Sequence, residues 1–267
     1  DDLIEGPAGE RDLSHEDRWL LSKLQGLVET ATEAIDGFET RTASQATFYD
    51  FAETLRWYRK RTDTDRPGAR WTLREVLRAR LRLLSPFIPF MANELHERLT
   101  GTPVEDAAWP EVDERLRSPV VESEEELVRT LVEDIREVSD VTGVDPDVVR
   151  IYTAADWKYR AFDSVAETGP DMSAAMGHAM QFDSIRDRSD AAADLVQELV
   201  EFVRERPEAT VVTLTDVDET EVYRRAVPFL EAEFDAEVEV YREGPDVYDP
   251  ADKADQSVPF RPAIHLE

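Results

Sequence analysis

A short basic segment, residues 56–82, most constrains what this chain can be, because the rest of the chain is strongly acidic. The segment contains ten Arg and Lys against three Asp and Glu, a net charge of +7, whereas the whole 267-residue chain carries −29. The run Arg-Trp-Tyr-Arg-Lys-Arg at residues 56–61 interleaves cations with aromatic rings, a combination that suits a nucleic-acid backbone and its bases. The sequence therefore predicts one anion-binding surface on an otherwise acidic protein.

The composition is typical of folded proteins that work in concentrated salt. Hydrophobic residues make up 41% of the chain, enough for a core, and 60 Asp and Glu outnumber 31 Lys and Arg. Only four of those cations are Lys and 27 are Arg. Carboxylates keep a protein solvated where long Lys stems would add apolar surface. We therefore expect a halophilic protein, with an acidic mesophilic protein as the alternative.

Several classes of protein are excluded by what the sequence lacks. Cysteine is absent, which excludes disulfides, zinc held by thiolates and thiol catalysis. No apolar run approaches the ~20 residues that cross a bilayer, and the acidic first residues lack the basic and apolar regions of a signal peptide. The sequence predicts a cytoplasmic protein without a membrane partner, and a first residue that is not Met indicates part of a longer chain.

The first half of the chain predicts an antiparallel bundle of four amphipathic helices, preceded by a polar lead at residues 1–12 with Gly6, Pro7 and Gly9. Helix starts are indicated by capping-box patterns and by Pro at a first helical position. The predicted starts are Ser14 with Asp17, Thr42 with Gln45, Thr72 with Glu75, and Ser85 with Pro86.

Apolar residues at helical spacing predict the inward faces of these helices. The first stripe runs from Trp19 to Phe38, and Gly101 is expected to end the fourth helix. The inward face predicted for the fourth helix consists of Phe87, Phe90, Met91, Leu95 and Leu99.

The second half predicts a small α+β domain at residues 123–267, so that the bundle domain occupies residues 1–122. A linker from about residue 101, rich in Pro, is expected to wrap the bundle with Trp109-Pro110 packed on it. A capping box at Ser123 and Glu126 predicts the first helix of the second domain, to about Ser139. Further helices are predicted near 154–167, 171–180, 189–205 and 218–234, and strands at 148–152, 210–214, 237–241 and 263–266.

The basic segment provides the candidate binding residues. Helical spacing places Arg56, Arg59 and Lys60 on one face of the second helix, and a stripe of Arg on the third, with Arg66 and Arg70 in the loop between them. The residues predicted to contact nucleic-acid phosphates are Arg56, Arg59, Lys60, Arg61, Arg66, Arg70, Arg74 and Arg78. The alternative is a solvated face of Arg–carboxylate pairs with Glu53, Asp63, Asp65 and Glu75, but these four acids are too few to neutralise ten cations. Trp57 and Trp71 flank the loop and are expected in the core rather than stacked on bases.

No catalytic or metal-binding group is predicted. The four His are scattered without partners at ligand spacing, and no Gly-rich phosphate loop occurs. Carboxylate pairs carry no signal in so acidic a chain. A different class of function therefore stays open, an acidic helical module that binds protein through exposed apolar patches.

Several stretches taken together resemble class I aminoacyl-tRNA synthetases. Asp-Arg-Trp-Leu-Leu-Ser-Lys-Leu at 17–24 looks like the opening helix of the bundle that follows their catalytic core, and Leu-Ser-Pro-Phe-Ile-Pro-Phe-Met-Ala-Asn-Glu-Leu at 84–95 is similar to its most recurrent motif. Residues 55–61 look like its second helix in the leucine enzyme, and Trp109-Pro110 stands where these proteins often have Trp-Pro. The second half, notably residues 133–135, 155–158 and 262–267, resembles the C-terminal domain of archaeal-type leucyl-tRNA synthetases.

The resemblance implies a fragment of a leucine–tRNA ligase. The nucleotide-binding motifs of that family, His-Ile-Gly-His and Lys-Met-Ser-Lys-Ser, are absent, as is its editing domain, so ATP, Mg and catalysis would belong to upstream domains of the same polypeptide. The fragment alone would have no cofactor and no activity, and would bind leucine tRNA as a monomer.

The resemblance also divides the tRNA between the two domains. The bundle would hold the tRNA body without reading the anticodon, and the C-terminal domain would reach the long variable arm. The extreme C-terminal residues take part, and by position they are Ile264, His265, Leu266 and Glu267. Archaeal relatives often have Tyr at the position of His265 and more Lys before it, whereas this tail is acidic. Contacts to base edges are therefore expected rather than contacts to phosphates.

Two other class I synthetases remain as alternatives. Isoleucine-type C-termini usually hold zinc with Cys, which this chain lacks. Valine-type C-termini usually end in a long coiled coil, which the predicted strands argue against.

Overall fold

A computed structural model describes residues 13–267, and the polar lead predicted at residues 1–12 lies outside the described residues. The chain divides into two units, the first ending at Glu122 and the second beginning at Ser123. The predicted fold class, a helical bundle followed by a small α+β region, is confirmed.

The first unit is helical. A π-helical turn, Gln45–Asp50, joins its second and third helices, and the 3₁₀ turns Val104–Asp106 and Glu114–Leu116 follow the fifth. Both α3 and α4 pack on α1, and α5 packs on α4. The helices are α1 (His15–Asp36), α2 (Thr40–Ser44), α3 (Phe51–Arg61), α4 (Pro67–Leu84) and α5 (Pro89–Thr100).

Only the first predicted capping box forms. The backbone N–H of Asp17 donates to Ser14 Oγ at 3.3 Å, and the N–H of Ser14 donates to Asp17 Oδ2 at 2.8 Å. The other predicted starts are wrong, because an S/T-x-x-E/Q pattern also occurs inside helices, where it caps nothing. Thr42 lies within α2 and Thr72 within α4. Pro67 and Pro89 occupy the first turns of α4 and α5 instead, where a fixed φ suits the helix start.

The inward face predicted for the fourth bundle helix is largely wrong. Phe90 is 92% exposed, and Met91 and Leu95 are also exposed. Because α5 starts at Pro89 rather than Pro86, its buried stripe follows a different phase, through Ala92, His96 and Leu99. Phe38, predicted at the end of the first stripe, lies beyond α1 with a φ of 60° and is exposed.

The core of the bundle collects the predicted apolar stripes of α1, α3 and α4. Trp109 packs against this core, and its indole N–H donates to Thr32 Oγ1 at 2.9 Å, so the predicted packing of the Trp-Pro pair is confirmed. The buried cluster consists of Trp19, Leu20, Leu24, Leu27, Val28, Ala31, Ala46, Phe51, Tyr58, Ala69, Val76, Ala79 and Leu83.

The second unit surrounds a three-stranded sheet with helices. The helix α6 (Pro119–Thr142) runs across the boundary between the units and begins one turn before the start predicted at Ser123, which is therefore no cap. The remaining elements are β1 (Val148–Thr153), α7 (Asp156–Thr168), α8 (Met172–Ala179), α9 (Asp183–Arg186), α10 (Ser189–Arg204), α11 (Glu208–Thr215), α12 (Glu219–Phe234), β2 (Glu237–Arg242) and β3 (Ala263–Leu266).

The strands run in the order β2-β1-β3, with β1 parallel to β2 and antiparallel to β3. Three of the four predicted strands are thereby confirmed. The register places Ile151 opposite Val240 and Ile264. Ile151 is fully buried and Ile264 nearly so, which places one face of the sheet on the core.

The strand predicted at residues 210–214 is wrong, because these residues lie in α11. The run Thr-Val-Val-Thr-Leu has high β propensity, but propensity is a weak preference that packing overrides. Val211 and Leu214, three residues apart, are buried, while Val212 between them is exposed. That burial has the period of a helix, and Pro207 precedes its first residue.

Candidate nucleic-acid interface

The outer face of α3 carries the cations predicted for it. Arg56, Arg59 and Lys60, here called the α3 basic face, are all exposed. Tyr58, between them in sequence, is fully buried. The guanidinium of Arg56 lies 3.4 Å from Glu53, and both side chains are about two-thirds exposed, a pairing that contributes little in water. The α3 basic face therefore lies on the surface, where an anionic partner can reach it.

Two other predicted binding residues are turned into the protein. The side chain of Arg61 is only 4% exposed and lies 3.5 Å from Glu16. Arg66 Nη2 lies 2.9 Å from Asp17 Oδ2 and donates to Ser14 Oγ at the same distance. Both guanidinium groups thus secure the first turn of α1, and they are poorly placed to contact a phosphate.

Asp17 is the centre of this arrangement, and its role was not visible in the sequence. It is fully buried, and its Oδ1 accepts a hydrogen bond from the Tyr58 hydroxyl at 2.5 Å while Oδ2 binds Arg66. Burial, together with the Asp17 carboxylate, raises the pKa of Tyr58, which therefore stays a proton donor. One carboxylate joins α1 to α3 and to the start of α4. The capping-box position of Asp17 was the only sequence signal for it.

Most cations of α4 bind backbone carbonyl groups. Arg80 donates to the carbonyls of Thr47 at 2.9 Å and Phe48 at 3.2 Å, and burial lowers its pKa. Arg82 donates to the carbonyl of Ala108 at 3.1 Å, and Arg74 to that of Leu99 at 3.3 Å. These arginines tie α4 to the segments around it.

The remaining predicted cations of this segment lie on α4 itself. Arg78 lies 3.0 Å from Glu75, with its side chain about half exposed. Arg70 is half-buried and lies in the first turns of α4, not in a loop, while Arg66 directly precedes the helix. Trp57 packs against the bundle core, and Trp71 is half-buried. The basic segment is thus divided between an exposed face on α3 and a largely structural stripe on α4.

The second candidate surface is the C-terminal strand. The sequence left open whether the tail is ordered, and the structure shows it as β3. The backbone N–H of Glu267 donates to the carbonyl of Val148 at 2.9 Å, and its own carbonyl accepts from the N–H groups of Asp147 and Val148. Because backbone groups alternate in direction along an antiparallel strand, those of Leu266 point to the open edge of the sheet. Ile264 is buried, whereas His265 is half-buried.

A buried carboxylate lies elsewhere in this unit, at the start of α12. Glu219 accepts from the Tyr159 hydroxyl at 2.5 Å and from the N–H of Phe260 at 2.8 Å. Burial raises its pKa to about 7, although these hydrogen bonds act in the opposite direction. Glu219 thereby connects α7, α12 and the segment before β3, which is a structural role.

Within residues 13–267, no three His, Asp or Glu side chains are arranged to hold a metal ion. None of the helices described for this chain is long and apolar enough to cross a membrane.

Comparison with known proteins shows which family the chain belongs to. A family model described as the anticodon-binding domain of tRNA ligase matches residues 17–151. Leucine–tRNA ligase from Pyrococcus abyssi is 35% identical over 254 residues, which cover 94% of this chain and 25% of that protein. The enzyme from Methanothermobacter thermautotrophicus is 34% identical over 253 residues, with 94% and 26% covered.

A third relative, leucine–tRNA ligase from Methanosarcina barkeri, is 31% identical over 263 residues, which cover 96% of this chain and 27% of that protein. The chain thus spans about a quarter of the length of these relatives. The family match takes in α3 and α4 with their cations, and it continues through α6 into β1. This chain belongs to the family of anticodon-binding domains of tRNA ligases.

Proposed function

We propose that this chain is the tRNA-binding C-terminal region of a leucine–tRNA ligase. It would position leucine tRNA for ATP-dependent aminoacylation by a catalytic domain elsewhere in the same polypeptide. The observation that carries the proposal is similarity to leucine–tRNA ligases along 94% of the chain, through both units. The second unit matters most, because the bundle alone is common to several class I enzymes.

The bundle would hold the tRNA body through the α3 basic face. Arg56, Arg59 and Lys60 are exposed on one side of a helix, and Arg can grip two phosphate oxygens at once. Arg78 is half exposed and extends the candidate set to α4. Arg70 and Arg74 remain weaker candidates, since both are half-buried. Arg61 and Arg66 would act indirectly, because they hold α1 against the helix that carries the face.

The C-terminal strand would meet the variable arm of the tRNA. Ile264, His265, Leu266 and Glu267 are the residues proposed for this contact. The segment before them contains Asp249, Asp252 and Asp255, which would repel phosphates. The open backbone edge of β3 offers donors and acceptors to bases instead, and unpaired RNA bases are commonly read by such groups.

Other properties of the parent protein follow from this assignment. ATP and Mg would bind the catalytic domain, and this region would require no cofactor and have no activity alone. Its partners would be leucine tRNA and the catalytic and editing domains of the same polypeptide, in a cytoplasmic monomer.

One observation favours a second candidate function, that of a protein-binding module. Phe90, Met91 and Leu95 form an exposed apolar face on α5, and such faces are enriched at protein interfaces. This face is mainly apolar, and the neighbouring Arg98 is paired with Glu94, so the two candidates make different predictions. Substitution of Phe90 would leave tRNA binding unchanged if the main proposal is correct.

A binding assay separates the candidates. Gel shift of the 267-residue chain should retard intact leucine tRNA and bind it less well when the variable arm is removed. Valine tRNA tests the alternative of a valine-type region, and serine tRNA is a control that also has a long arm. Equal binding of either would contradict the leucine assignment, and no binding of any tRNA would favour the protein-binding module.

A further inference from the structure

Arg150 lies in the middle strand of the sheet and contacts both neighbouring strands. It is 7% exposed, and the register places it opposite Glu239 of β2 and His265 of β3. Its Nε donates to Glu239 Oε2 at 2.6 Å, and its Nη1 donates to the carboxylate of Glu267. The ring of Tyr248 covers the guanidinium, with the centroid 5.1 Å from Cζ. A single side chain therefore joins all three strands to the last residue of the chain.

The tail needs such a link because β3 is a short edge strand. It contains four residues and pairs on one side only. Fixing each backbone residue costs conformational entropy, which four residues with one buried side chain offset poorly. Hydrogen bonds between ionised partners are about twice as strong as neutral ones. The bond from Arg150 to Glu267 therefore has more influence on the order of the tail than a single ladder bond.

We propose that Arg150 is a positioning residue that orders the C-terminal strand before RNA arrives. The tail then meets its partner as a preformed edge, and binding does not include the entropy cost of ordering it. The inference rests on the proposed function, which gives residues 264–267 a contact with tRNA. Arg150 itself lies beneath the tail and acts through it.

The same bond also changes the charge that the tail presents. The Arg150 guanidinium lowers the pKa of Glu267, which favours the ionised form of this carboxylate that pairs with Arg150. An unpaired carboxylate at the end of β3 would repel phosphates of an approaching RNA. Pairing with a buried cation removes part of that repulsion and directs the carboxylate towards the protein.

Arg242 provides a matched control on the opposite edge strand. It also bridges two carboxylates, Asp156 at 2.8 Å and Asp218 at 2.9 Å. These partners lie at the starts of α7 and α12, not in the tail. Loss of Arg242 should thus disturb helix starts and leave β3 unchanged.

The first experiment measures the order of the tail in the free 267-residue chain, by amide hydrogen exchange without RNA. In Arg150→Met, the amides of the tail that donate to β1, such as that of Glu267, should exchange about 10- to 100-fold faster, as expected for the loss of a charge-assisted bond. Arg150→Lys keeps a positive charge but loses the forked guanidinium, so its exchange rates should lie between those of the wild type and of Arg150→Met. Arg242→Met should leave these amides unchanged. Unchanged exchange of the tail in Arg150→Met would overturn the proposal.

The fold should survive these substitutions, and a milder variant provides a second test. Glu239 and Glu267 are 29% and 61% exposed, so water can hydrate both carboxylates after Arg150 is removed. Glu267→Gln removes only the charge on the tail and should accelerate exchange in the same direction, by a smaller factor. Slower or equal exchange in this variant would count against the proposal.

The second experiment measures tRNA affinity. Arg150→Met should weaken binding of intact leucine tRNA about 5- to 20-fold and leave binding of armless tRNA unchanged. In a chain that lacks residues 263–267, the substitution should have no further effect. Two results would overturn the positioning role: an equal loss of affinity for both tRNAs in Arg150→Met, or a further loss of affinity when the substitution is made in the chain that lacks residues 263–267. If the wild-type chain binds neither tRNA, the proposed function fails, while the exchange experiment still decides whether Arg150 orders the tail.

Discussion

The basic segment of the bundle and the sheet of the second unit use arginine in different ways. On α3, some arginines face solvent and others are buried. Arg59 is exposed, whereas Arg61, two residues later, is buried against Glu16. In the sheet, Arg150 and Arg242 each bridge two carboxylates. The excess of positive charge in a segment therefore overstates what a partner can reach, and burial decides which cations remain for binding.

The largest effect is expected at the buried carboxylate of the bundle. Asp17→Ala leaves the Tyr58 hydroxyl without its acceptor and Arg66 without its ion pair. Removing one partner of a buried pair costs about 3–5 kcal/mol of folding free energy. Chemical denaturation of the 267-residue chain measures it, following the near-ultraviolet signal of the aromatic residues.

The control is an ion pair of the same kind on the surface. Asp113 pairs with Arg115, whose side chain is 89% exposed, and Asp113→Ala should cost much less folding free energy than Asp17→Ala. Similar losses of folding free energy in Asp17→Ala and Asp113→Ala would mean that burial of the Asp17 network does not increase its contribution to stability.

The second prediction concerns pH and the second unit. Because the pKa of Glu219 is raised from 4.5 to about 7, the native state binds a proton that the unfolded state releases. Its contribution is therefore present below pH ~4.5 and is lost as pH rises through ~7, by about 3 kcal/mol. Urea unfolding at pH 5 and pH 8 should show this difference in the wild type.

The matched variant removes only the titration. Glu219→Gln keeps a carbonyl oxygen that can accept from Tyr159 and Phe260, but it cannot ionise. Stability differences between pH 5 and pH 8 should then be smaller by the same amount. If the stability of Glu219→Gln depends on pH as strongly as that of the wild type, other titrating groups cause the difference between pH 5 and pH 8.

The third prediction separates exposed from buried cations in the basic segment. Arg56→Ala with Arg59→Ala should weaken tRNA binding about 5- to 10-fold while changing stability by less than ~0.5 kcal/mol. Arg66→Ala should lower stability and leave tRNA binding nearly unchanged while the chain stays folded, because it leaves the buried Asp17 with one partner fewer. Gel shift and thermal melting of the same preparations provide both numbers. Unchanged tRNA binding in the double variant would exclude the α3 basic face.

The smallest effect is expected from salt. Binding by this chain should be weak and should persist into molar KCl, because few phosphates are neutralised and short-range bonds of Arg dominate. Each neutralised phosphate contributes about −0.7 to −0.9 to the slope of log K against log salt, so binding that persists into molar KCl requires a slope no steeper than about −1. Fluorescence anisotropy with labelled tRNA measures the slope between 0.2 and ~2 M KCl. A slope of about −2 or steeper, which is at least a ~100-fold loss of affinity over that tenfold range of salt, would contradict the prediction.

Local patterns predicted most elements correctly, and the errors share a cause. The strands β1, β2 and β3 were predicted from β-branched or alternating runs. These predictions are correct because each run also finds a neighbouring strand to pair with. The same kind of run at 210–214 forms a helix, since burial of Val211 and Leu214 has helical spacing. In α5, a start three residues later than expected turned Phe90 out of the core. Propensity and periodicity describe a segment alone, whereas packing against a neighbour determines its phase.

The sequence by itself determined the charge division, the helical and mixed halves of the chain, the capping box at Ser14 and the resemblance to a synthetase bundle. These depend on composition, short-range spacing and motifs. Only the tertiary structure decided which cations are exposed, that Asp17 joins three helices, and that Arg150 holds the last residue in the sheet. Those contacts connect residues 41 to 117 positions apart, and no local pattern records them. Their strength comes from burial, which removes competing water from a charge only after the chain has folded around it.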